Sequence, residues 1–231
     1  FSNNFKDIID FKPEISIISN SANDHIKKAE KLIKVSKKLL IEKPLSNNSK
    51  EISKFIKYWK KYKIPIIIGY NLRYFNSLIY FRKLIKDGHI GKIHYVKIEA
   101  GSDLTHWRKN THYANSVSAQ KKLGGGVLFE LSHELDYQRW IFGDPDYLLS
   151  KVKKLSSLKI DVEDTASIIL DYKKKNMLIS VFLNFFQNNP SRSCTVIGSK
   201  KIAKWDLFKN DVSIYDVKSK TWKPKKFKKN V

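Results

Sequence analysis

The sequence predicts an α/β fold in which part of a doubly wound parallel sheet precedes an α+β domain with a largely antiparallel, open sheet. Between residues 13 and 70, short isoleucine-rich runs alternate with longer runs whose apolar residues recur at helical spacing. This alternation is the βαβ pattern of a parallel sheet. From Tyr147 onward, short segments of alternating polarity dominate, as is typical of antiparallel strands. The change near residues 72–76 divides the chain into predicted domains 1–73 and 74–231.

Three strands and two helices are predicted in the first domain. The run PEISIIS (13–19) has the nearly continuous apolar character of a strand buried on both faces. Residues 20–37 begin with cap-type side chains and continue as an amphipathic helix. The strand KLLIEK (38–43), a helix opened by Ser49 and the strand IPIIIGY (64–70) complete the unit.

The second domain begins with a predicted helix over residues 76–88 and a half-exposed strand in GKIHYVKIEAGS (91–102). A looser stretch then leads to glycines 124–126 and to a helix in ELSHELDYQRWIFG (130–143). Six short segments of alternating polarity follow within residues 147–217. Successive short strands joined by turns predict a mainly antiparallel sheet.

The large positive charge of the chain gives little information about its binding partners. The formal charge is +23, but only five of the 45 basic residues are arginine. Arginine forks onto phosphates and bases, so its scarcity argues against specific nucleic-acid recognition. The lysine-rich pieces KKAEKLIKVSKK (27–38) and KFIKYWKKYK (54–63) also carry apolar residues at helical spacing, so their lysines are interpreted as solvated helix faces. The one dense basic cluster, KPKKFKKN (223–230), is interpreted as a solvated end.

Cysteine usage and hydropathy limit the cellular setting. The single cysteine, Cys194, excludes an internal disulfide, and no run approaches the roughly 18 apolar residues of a membrane span. We therefore expect a cytoplasmic protein with neither a membrane nor a nucleic-acid partner. No metal site is predicted.

Polar clusters follow each of the three predicted strands of the first domain. Because the carboxyl ends of parallel strands share one edge of the sheet, these clusters predict a binding cleft there. Taken singly, each cluster is equally consistent with ordinary turn and cap residues. The side chains in question are Ser19, Asn20, Ser21 and His25 after the first strand, Glu42, Lys43 and Pro44 after the second, and Asn71 and Arg73 after the third.

A second candidate site follows the three glycines. A helix there would place Glu130 and His133 three residues apart on one face. A histidine beside a carboxylate is an acid–base unit, because the carboxylate fixes the tautomer and the ring titrates near neutral pH. The alternative is a histidine whose ring is satisfied inside a helix that packs on the sheet.

These segments together resemble the Gfo/Idh/MocA family of nicotinamide-dependent oxidoreductases. The resemblance runs from about residue 10 to about residue 206, and its most specific pieces are EKP (42–44) and GGGVLFELSHELDYQRWIFG (124–143). It implies part of an N-terminal Rossmann domain followed by a C-terminal open-sheet domain. It also implies NAD or NADP as cofactor, a sugar or polyol alcohol as substrate, and a homo-oligomer formed through the C-terminal sheet.

The same resemblance implies roles for individual residues. Lys43 matches the site lysine that touches the substrate oxygen, and His133 matches the acid–base residue that takes the proton of the alcohol. Glu130 departs from the family pattern, which places an aspartate four residues before the histidine, so its role as substrate ligand or orienting group stays open. Positions that match cofactor-lining residues are Ser19, Asn20, Ser21, His25, Glu42, Lys43, Pro44, Asn71, Arg73, Trp107 and Arg108.

The front of the family pattern is missing from these residues. No GxGxxG turn occurs in the 231 residues, nor does the acidic residue about 20 positions beyond it that would bind the adenosine ribose. We therefore expect a fragment of a longer gene product that also lacks the last helical segments of the family. Without a helix N-terminus for the pyrophosphate, the isolated fragment is expected to bind cofactor poorly and to be inactive.

Two other classes of function stay open at this point. A non-catalytic sugar-binding or oligomeric assembly protein could be built on the same sheet domain. A basic nucleic-acid binder would show a steep loss of affinity with salt.

Overall fold

A computed structural model describes residues 4–217 and 219–228 of the chain. It contains two sheets. The strands of the first, in spatial order, are β1 (Ile15–Ile18), β2 (Lys38–Ile41) and β3 (Ile66–Ile68). The second has eight strands in the spatial order β11 (Thr221–Lys226), β10 (Asp211–Asp216), β9 (Ile202–Asp206), β8 (Ser191–Gly198), β4 (Ile93–Gly101), β7 (Met177–Asn184), β6 (Thr165–Tyr172) and β5 (Tyr147–Lys153). The first sheet is parallel, and the second is antiparallel except where β4 pairs with β7. The predicted fold class is therefore confirmed.

The first sheet is built from short strands joined by crossover helices. Strand β1 pairs with β2 in parallel, with Ile17 opposite Leu40, and β2 pairs with β3, with Ile41 opposite Ile68. The helix after β2 is capped by Asn48, whose side chain accepts a hydrogen bond from the Lys50 backbone. The elements are α1 (Phe5–Phe11), β1 (Ile15–Ile18), α2 (His25–Leu32), β2 (Lys38–Ile41), α3 (Ser49–Tyr62) and β3 (Ile66–Ile68).

The prediction that the first strand is buried on both faces is wrong. The inward residues of this sheet pack with α2 and α3 in one apolar cluster that includes Leu39, Ile41 and Phe55. On the opposite face Ile15 and Ile17 are 59% and 66% exposed. Both crossover helices contribute to the same cluster, so the isoleucines of the other face stay open to solvent.

The second sheet carries the larger core. Helices α4 and α6 pack against it, with Phe81 and Tyr137 fully buried among its strands. The Trp205 indole is also buried and donates a hydrogen bond of 3.0 Å to the Ser77 hydroxyl of α4. The elements are α4 (Asn76–Lys86), β4 (Ile93–Gly101), α5 (Val127–Glu130), α6 (His133–Phe142), β5 (Tyr147–Lys153), β6 (Thr165–Tyr172), β7 (Met177–Asn184), β8 (Ser191–Gly198), β9 (Ile202–Asp206), β10 (Asp211–Asp216) and β11 (Thr221–Lys226).

The single helix predicted over residues 130–143 is two helices. Helix α5 ends at Glu130 and α6 begins at His133. The break follows from different anchors, because the backbone N–H of Val127 donates to the Glu163 carbonyl while α6 packs into the sheet core. Glu130 and His133 therefore do not share one helical face.

The two edges of the large sheet differ in character. Residues 223–230 were expected to be solvated or frayed; residues 221–226 form the fully exposed edge strand β11, so this stretch is solvated but ordered as a strand. Its lysines and Pro224 discourage pairing with another strand. At the other edge the open face carries Leu149, 74% exposed, opposite Ile169, 38% exposed. In the ranges 4–217 and 219–228, no helix combines the length and apolar character that crossing a membrane requires.

Candidate active site

Lys43 extends from the end of β2 to the end of α5. Its peptide bond to Pro44 is cis. Its ammonium donates a hydrogen bond of 2.9 Å to the backbone carbonyl of Glu130, 87 residues away in sequence. The Glu130 carboxylate lies 3.9 Å from the same nitrogen, and only 17% and 21% of the two side chains are exposed. This contact joins the carboxyl edge of the parallel sheet to the end of α5.

Two cavities meet at the Lys43–Glu130 pair. The first has a volume of about 420 Å³ and the second about 360 Å³. Cavity I, the first, is lined by Lys43, Ala100, Gly101, Ser102, Trp107, Glu130, Leu131, His133, Ser191, Arg192 and Phe208. Cavity II is lined by Ser19, Asn20, Ser21, Ala22, Glu42, Lys43, Pro44, Arg108, Val117, Gly124 and Glu130.

His133 lies in the first turn of α6 and borders cavity I. Its ring meets the Tyr70 ring edge-on, with centroids 5.6 Å apart. Its Nδ1 atom is buried and finds no hydrogen-bond partner among residues 4–217 and 219–228. Burial, followed by the positive charges of Arg192 and Lys43, lowers the pKa of His133 from 6.5 to about 3. The imidazole is therefore neutral at pH 7.

The ammonium of Lys43 is also electrostatically perturbed. Burial lowers its pKa below the ordinary value of 10.5, and Glu130 opposes this shift while Arg192 adds to it. Desolvation destabilises the charged form of an amine. A negative charge that develops in cavity I would therefore be stabilised by a cation that has few competing water contacts.

Arg192 lines cavity I and forms a buried ion pair behind the cavity wall. Arg192 of β8 places its Nε atom 2.8 Å from Oε1 of Glu134, a residue of α6 with no exposed side-chain surface. A second contact of 3.4 Å joins an Nη atom to the other carboxylate oxygen. Burial raises the pKa of Glu134, and the nearby Arg192 opposes that shift. Neither residue was predicted from the sequence. Nothing local distinguishes Arg192, whereas the position of Glu134 directly after His133 was a signal that could have been used.

Aromatic rings form the outer wall of the same cavity. The Trp107 indole donates a hydrogen bond of 2.7 Å to the Ser102 hydroxyl and packs edge-on against Phe185 at 5.2 Å. Phe208 borders the opening and is 61% exposed. Apolar ring faces beside hydroxyl and charged groups suit a small polar ligand with C–H surfaces.

Most of the predicted site residues line these two cavities. The residues brought together are Ser19, Asn20, Ser21, Glu42, Lys43, Pro44, Trp107, Arg108, Glu130 and His133. His25, Asn71 and Arg73 line neither cavity. The clusters after β1 and β2 therefore line the cavities, whereas the cluster after β3 does not.

His25 is buried beneath the turns that follow β1 and β2. It is 1% exposed, and its ring nitrogens lie 2.9 Å from the Pro44 carbonyl and 2.7 Å from the Asn20 carbonyl. These contacts hold the turn after β1 against the turn after β2. His25 therefore positions these two turns, and its predicted place beside a cofactor stays a prediction.

Arg73 is likewise engaged elsewhere. Its guanidinium makes two hydrogen bonds, of 2.6 and 2.8 Å, to the Asp136 carboxylate of α6. This bidentate pair raises the pKa of Arg73. The pair connects the segment after β3 to the helix that carries His133, and the contact of Arg73 with a cofactor stays a prediction. Asn71 begins the same segment and is exposed.

The three glycines serve close backbone packing. A Cβ atom on Gly125 would lie 2.3 Å from the Val117 carbonyl oxygen. Gly126 has φ +114°, and a side chain there would also meet the Glu163 carboxylate at 2.3 Å. The glycines therefore let the loop beside cavity II and the start of α5 approach each other.

The fold and the paired cavities define an α/β protein whose site lies between a Rossmann-type parallel sheet and an open, mostly antiparallel sheet. A profile of the GFO/IDH/MocA C-terminal domain matches residues 79–204. The chain belongs to this family.

Several known proteins are similar to this chain in sequence or in fold. Inositol 2-dehydrogenase of Salmonella typhimurium is 27% identical over 207 residues, covering 87% of this chain and 57% of that protein. Myo-inositol 2-dehydrogenase of Thermotoga maritima is 24% identical over 165 residues, covering 68% and 46%. The structure of a levoglucosan dehydrogenase in complex with NADH and levoglucosan has a TM-score of 0.85 at 17% identity, covering 98% of this chain and 64% of that one. The chain spans about half the length of the curated relatives it matches.

Proposed function

We propose that this chain is part of an NAD(P)-dependent oxidoreductase that interconverts an alcohol and a carbonyl group on a sugar or polyol. The observation that carries the proposal is that Lys43 and His133, from different domains, line one cavity of about 420 Å³. A cationic donor and a neutral imidazole beside the same ligand position are the groups that alcohol oxidation requires.

The residues around cavity II fit the nicotinamide end of a dinucleotide. The cavity lies at the carboxyl ends of β1 and β2, where parallel sheets bind ligands, and it meets cavity I at Lys43. Ser19, Asn20 and Glu42 offer hydroxyl, amide and carboxylate groups there, and Arg108 offers a guanidinium. A nicotinamide bound there would supply the hydride acceptor for oxidation and the hydride donor for reduction.

The protein's own groups account for the proton transfer. In the oxidation direction, the neutral His133 imidazole accepts the hydroxyl proton of the substrate. The Lys43 ammonium donates a hydrogen bond to the same oxygen and stabilises its developing negative charge. The Glu130 carbonyl, 2.9 Å from the lysine nitrogen, holds that ammonium at the junction of the two cavities. In the reduction direction the same groups return the proton.

The relatives support the substrate class. Two of them are inositol dehydrogenases, and the third is a levoglucosan dehydrogenase in complex with NADH and levoglucosan. Cavity I combines the apolar faces of Trp107 and Phe208 with the hydroxyls of Ser102 and Ser191. This lining suits a ring with C–H faces and several hydroxyl groups.

Variants of the two central residues test the proposal. The assay uses the full-length protein that carries this chain, because the chain alone is expected to bind cofactor poorly, and it follows NADH or NADPH formation with a panel of polyols. We expect Lys43→Met and His133→Ala each to lower kcat/KM by roughly two orders of magnitude or more. The exposed residues Lys83 and His89 provide matched controls, and Lys83→Met and His89→Gln should keep full activity. Full turnover in both site variants would refute the assigned roles.

We also propose that the open face of the large sheet is covered by a second copy of the chain. Leu149 and Ile169 lie opposite each other on neighbouring strands and are both exposed. Phe182 of β7 adds a third exposed apolar side chain, opposite Ser167 of β6. A patch of this kind marks a protein interface more often than a free surface.

A further inference from the structure

Arg192 is the least expected charged residue at cavity I. It lies in β8 opposite Ala100 of β4, so its side chain rises from the centre of the large sheet. Only 19% of that side chain is exposed, and it borders the cavity beside Lys43 and His133. A guanidinium in that position faces the space in which the substrate must lie.

The ion pair with Glu134 occupies one edge of the guanidinium. The Nε atom lies 2.8 Å from Oε1 without the alignment of a hydrogen bond, and one Nη atom donates a hydrogen bond of 3.4 Å to Oε2. Within residues 4–217 and 219–228, Glu134 is the only ion-pair partner of Arg192, and no hydrogen bond leaves the other Nη atom. A guanidinium has five N–H donors in a planar fork, so donors remain for a second planar acceptor.

The charged groups around cavity I form two ion pairs. Glu134 balances Arg192, and the Glu130 carboxylate lies 3.9 Å from the Lys43 ammonium. The two pairs differ in exposure, because the Glu134 side chain is wholly buried and cannot contact a ligand. The guanidinium therefore presents donors to the cavity while its balancing carboxylate stays behind it. The formal charge of +23 further raises the local concentration of anions.

We propose that cavity I selects substrates that carry a carboxylate group, so that the substrate class is the sugar acids, with Arg192 binding the carboxylate. This inference rests on the proposed function for the reaction itself. The planar carboxylate matches the fork of the guanidinium, whereas a neutral hydroxymethyl group would use only one of its donors. Ser102 and Ser191, which line the same cavity, offer hydroxyls to the remaining oxygens.

Direct binding measurements test the inference without turnover. Isothermal titration of the chain compares D-glucuronate with D-glucose, two ligands that differ only in a carboxylate against a hydroxymethyl group. We expect D-glucuronate to bind at least tenfold more tightly, in keeping with charge-assisted bidentate hydrogen bonds. Arg192→Gln should reduce this ratio to about one, while Arg139→Gln, at an exposed ion pair with Asp144, should leave it unchanged.

A second variant keeps the test decisive if Arg192→Gln fails to fold because Glu134 loses its buried partner. Arg192→Lys retains the positive charge beside Glu134 but removes the fork, and we expect it to lose most of the preference. Equal affinity for the two ligands, binding of neither, or a preference that survives in both variants would overturn the inference. Tenfold tighter binding of D-glucose 6-phosphate than of D-glucuronate would also overturn the assignment to carboxylates.

The two proposals fail in distinguishable ways. If neutral polyols are oxidised as efficiently as sugar acids, the inference about Arg192 is wrong and the oxidoreductase stands. If D-glucuronate binds through Arg192 but no sugar or polyol is ever oxidised, the binding site stands and the oxidoreductase is wrong.

Discussion

Replacement of His133 by glutamine should change how the stability of the protein depends on pH. The pKa of His133 is lowered from 6.5 to about 3 by burial and by the charges of Arg192 and Lys43. Between pH 6.5 and pH 3, His133 therefore binds a proton in the unfolded chain but stays neutral in the folded protein. The stability associated with the neutral ring is fully present above pH 6.5 and is lost as the pH falls toward 3.

The size of the effect follows from the shift. Each pH unit between the two pKa values costs about 1.4 kcal/mol, so the full loss between pH 6.5 and pH 3 is about 5 kcal/mol. Between pH 7 and pH 5, a range that avoids most carboxyl titration, the loss from this residue is about 2 kcal/mol. Glutamine is neutral at both pH values, so the His133→Gln variant lacks this contribution.

Urea unfolding at pH 7 and pH 5 measures the difference. The wild-type protein should lose about 2 kcal/mol more in free energy of unfolding than His133→Gln over that interval. His89 is exposed, and its replacement by glutamine should leave the pH dependence of the wild type intact. Parallel pH dependence in wild type and His133→Gln would refute the reasoning, because it would show that burial does not hold this imidazole neutral.

Three further predictions concern packing and assembly. Gly125→Ala should destabilise the protein by about 2 kcal/mol in urea unfolding, because the new Cβ atom would meet the Val117 carbonyl oxygen at 2.3 Å; unchanged stability would contradict the close approach. Asp164→Asn should cost about 3 kcal/mol, since its carboxylate accepts hydrogen bonds from the backbone and hydroxyl of Ser156 and an amide would present donors to donors; thermal denaturation at fixed pH measures it, and an unshifted midpoint would argue against it. Ile169→Lys on the open face should convert an oligomer into a monomer by light scattering, and a wild-type monomer would refute the proposed interface.

The site was partly predictable because strand ends in a parallel sheet share one edge. Ser19 and Lys43 follow different strands, and the structure brings both to cavity II. His25 and Arg73 follow strands of the same sheet, yet they hold turns and helices together. Residue type and position in sequence do not separate a side chain that faces a cleft from one that supports it, because the difference depends on packing between domains.

The details of the second domain were less predictable. The helix break between Glu130 and His133 has no glycine or proline signal, and it arises from the anchoring of α5 by Glu163. Arg192 is one of several polar residues in β8, and the strand pattern does not distinguish it from the others. Only the pairing of β8 with β4 and the packing of α6 above them place its guanidinium beside Lys43.

The sequence by itself determined the two-sheet architecture, since the period of apolar residues and the order of elements are local properties that read directly as strands and crossover helices. It also determined the resemblance in which Lys43 and His133 become candidates. The tertiary structure decided which polar groups share a cavity, which pKa values shift, and that a buried ion pair lies behind its wall. Those properties depend on desolvation and on distances between residues far apart in the chain, and no local pattern carries either quantity.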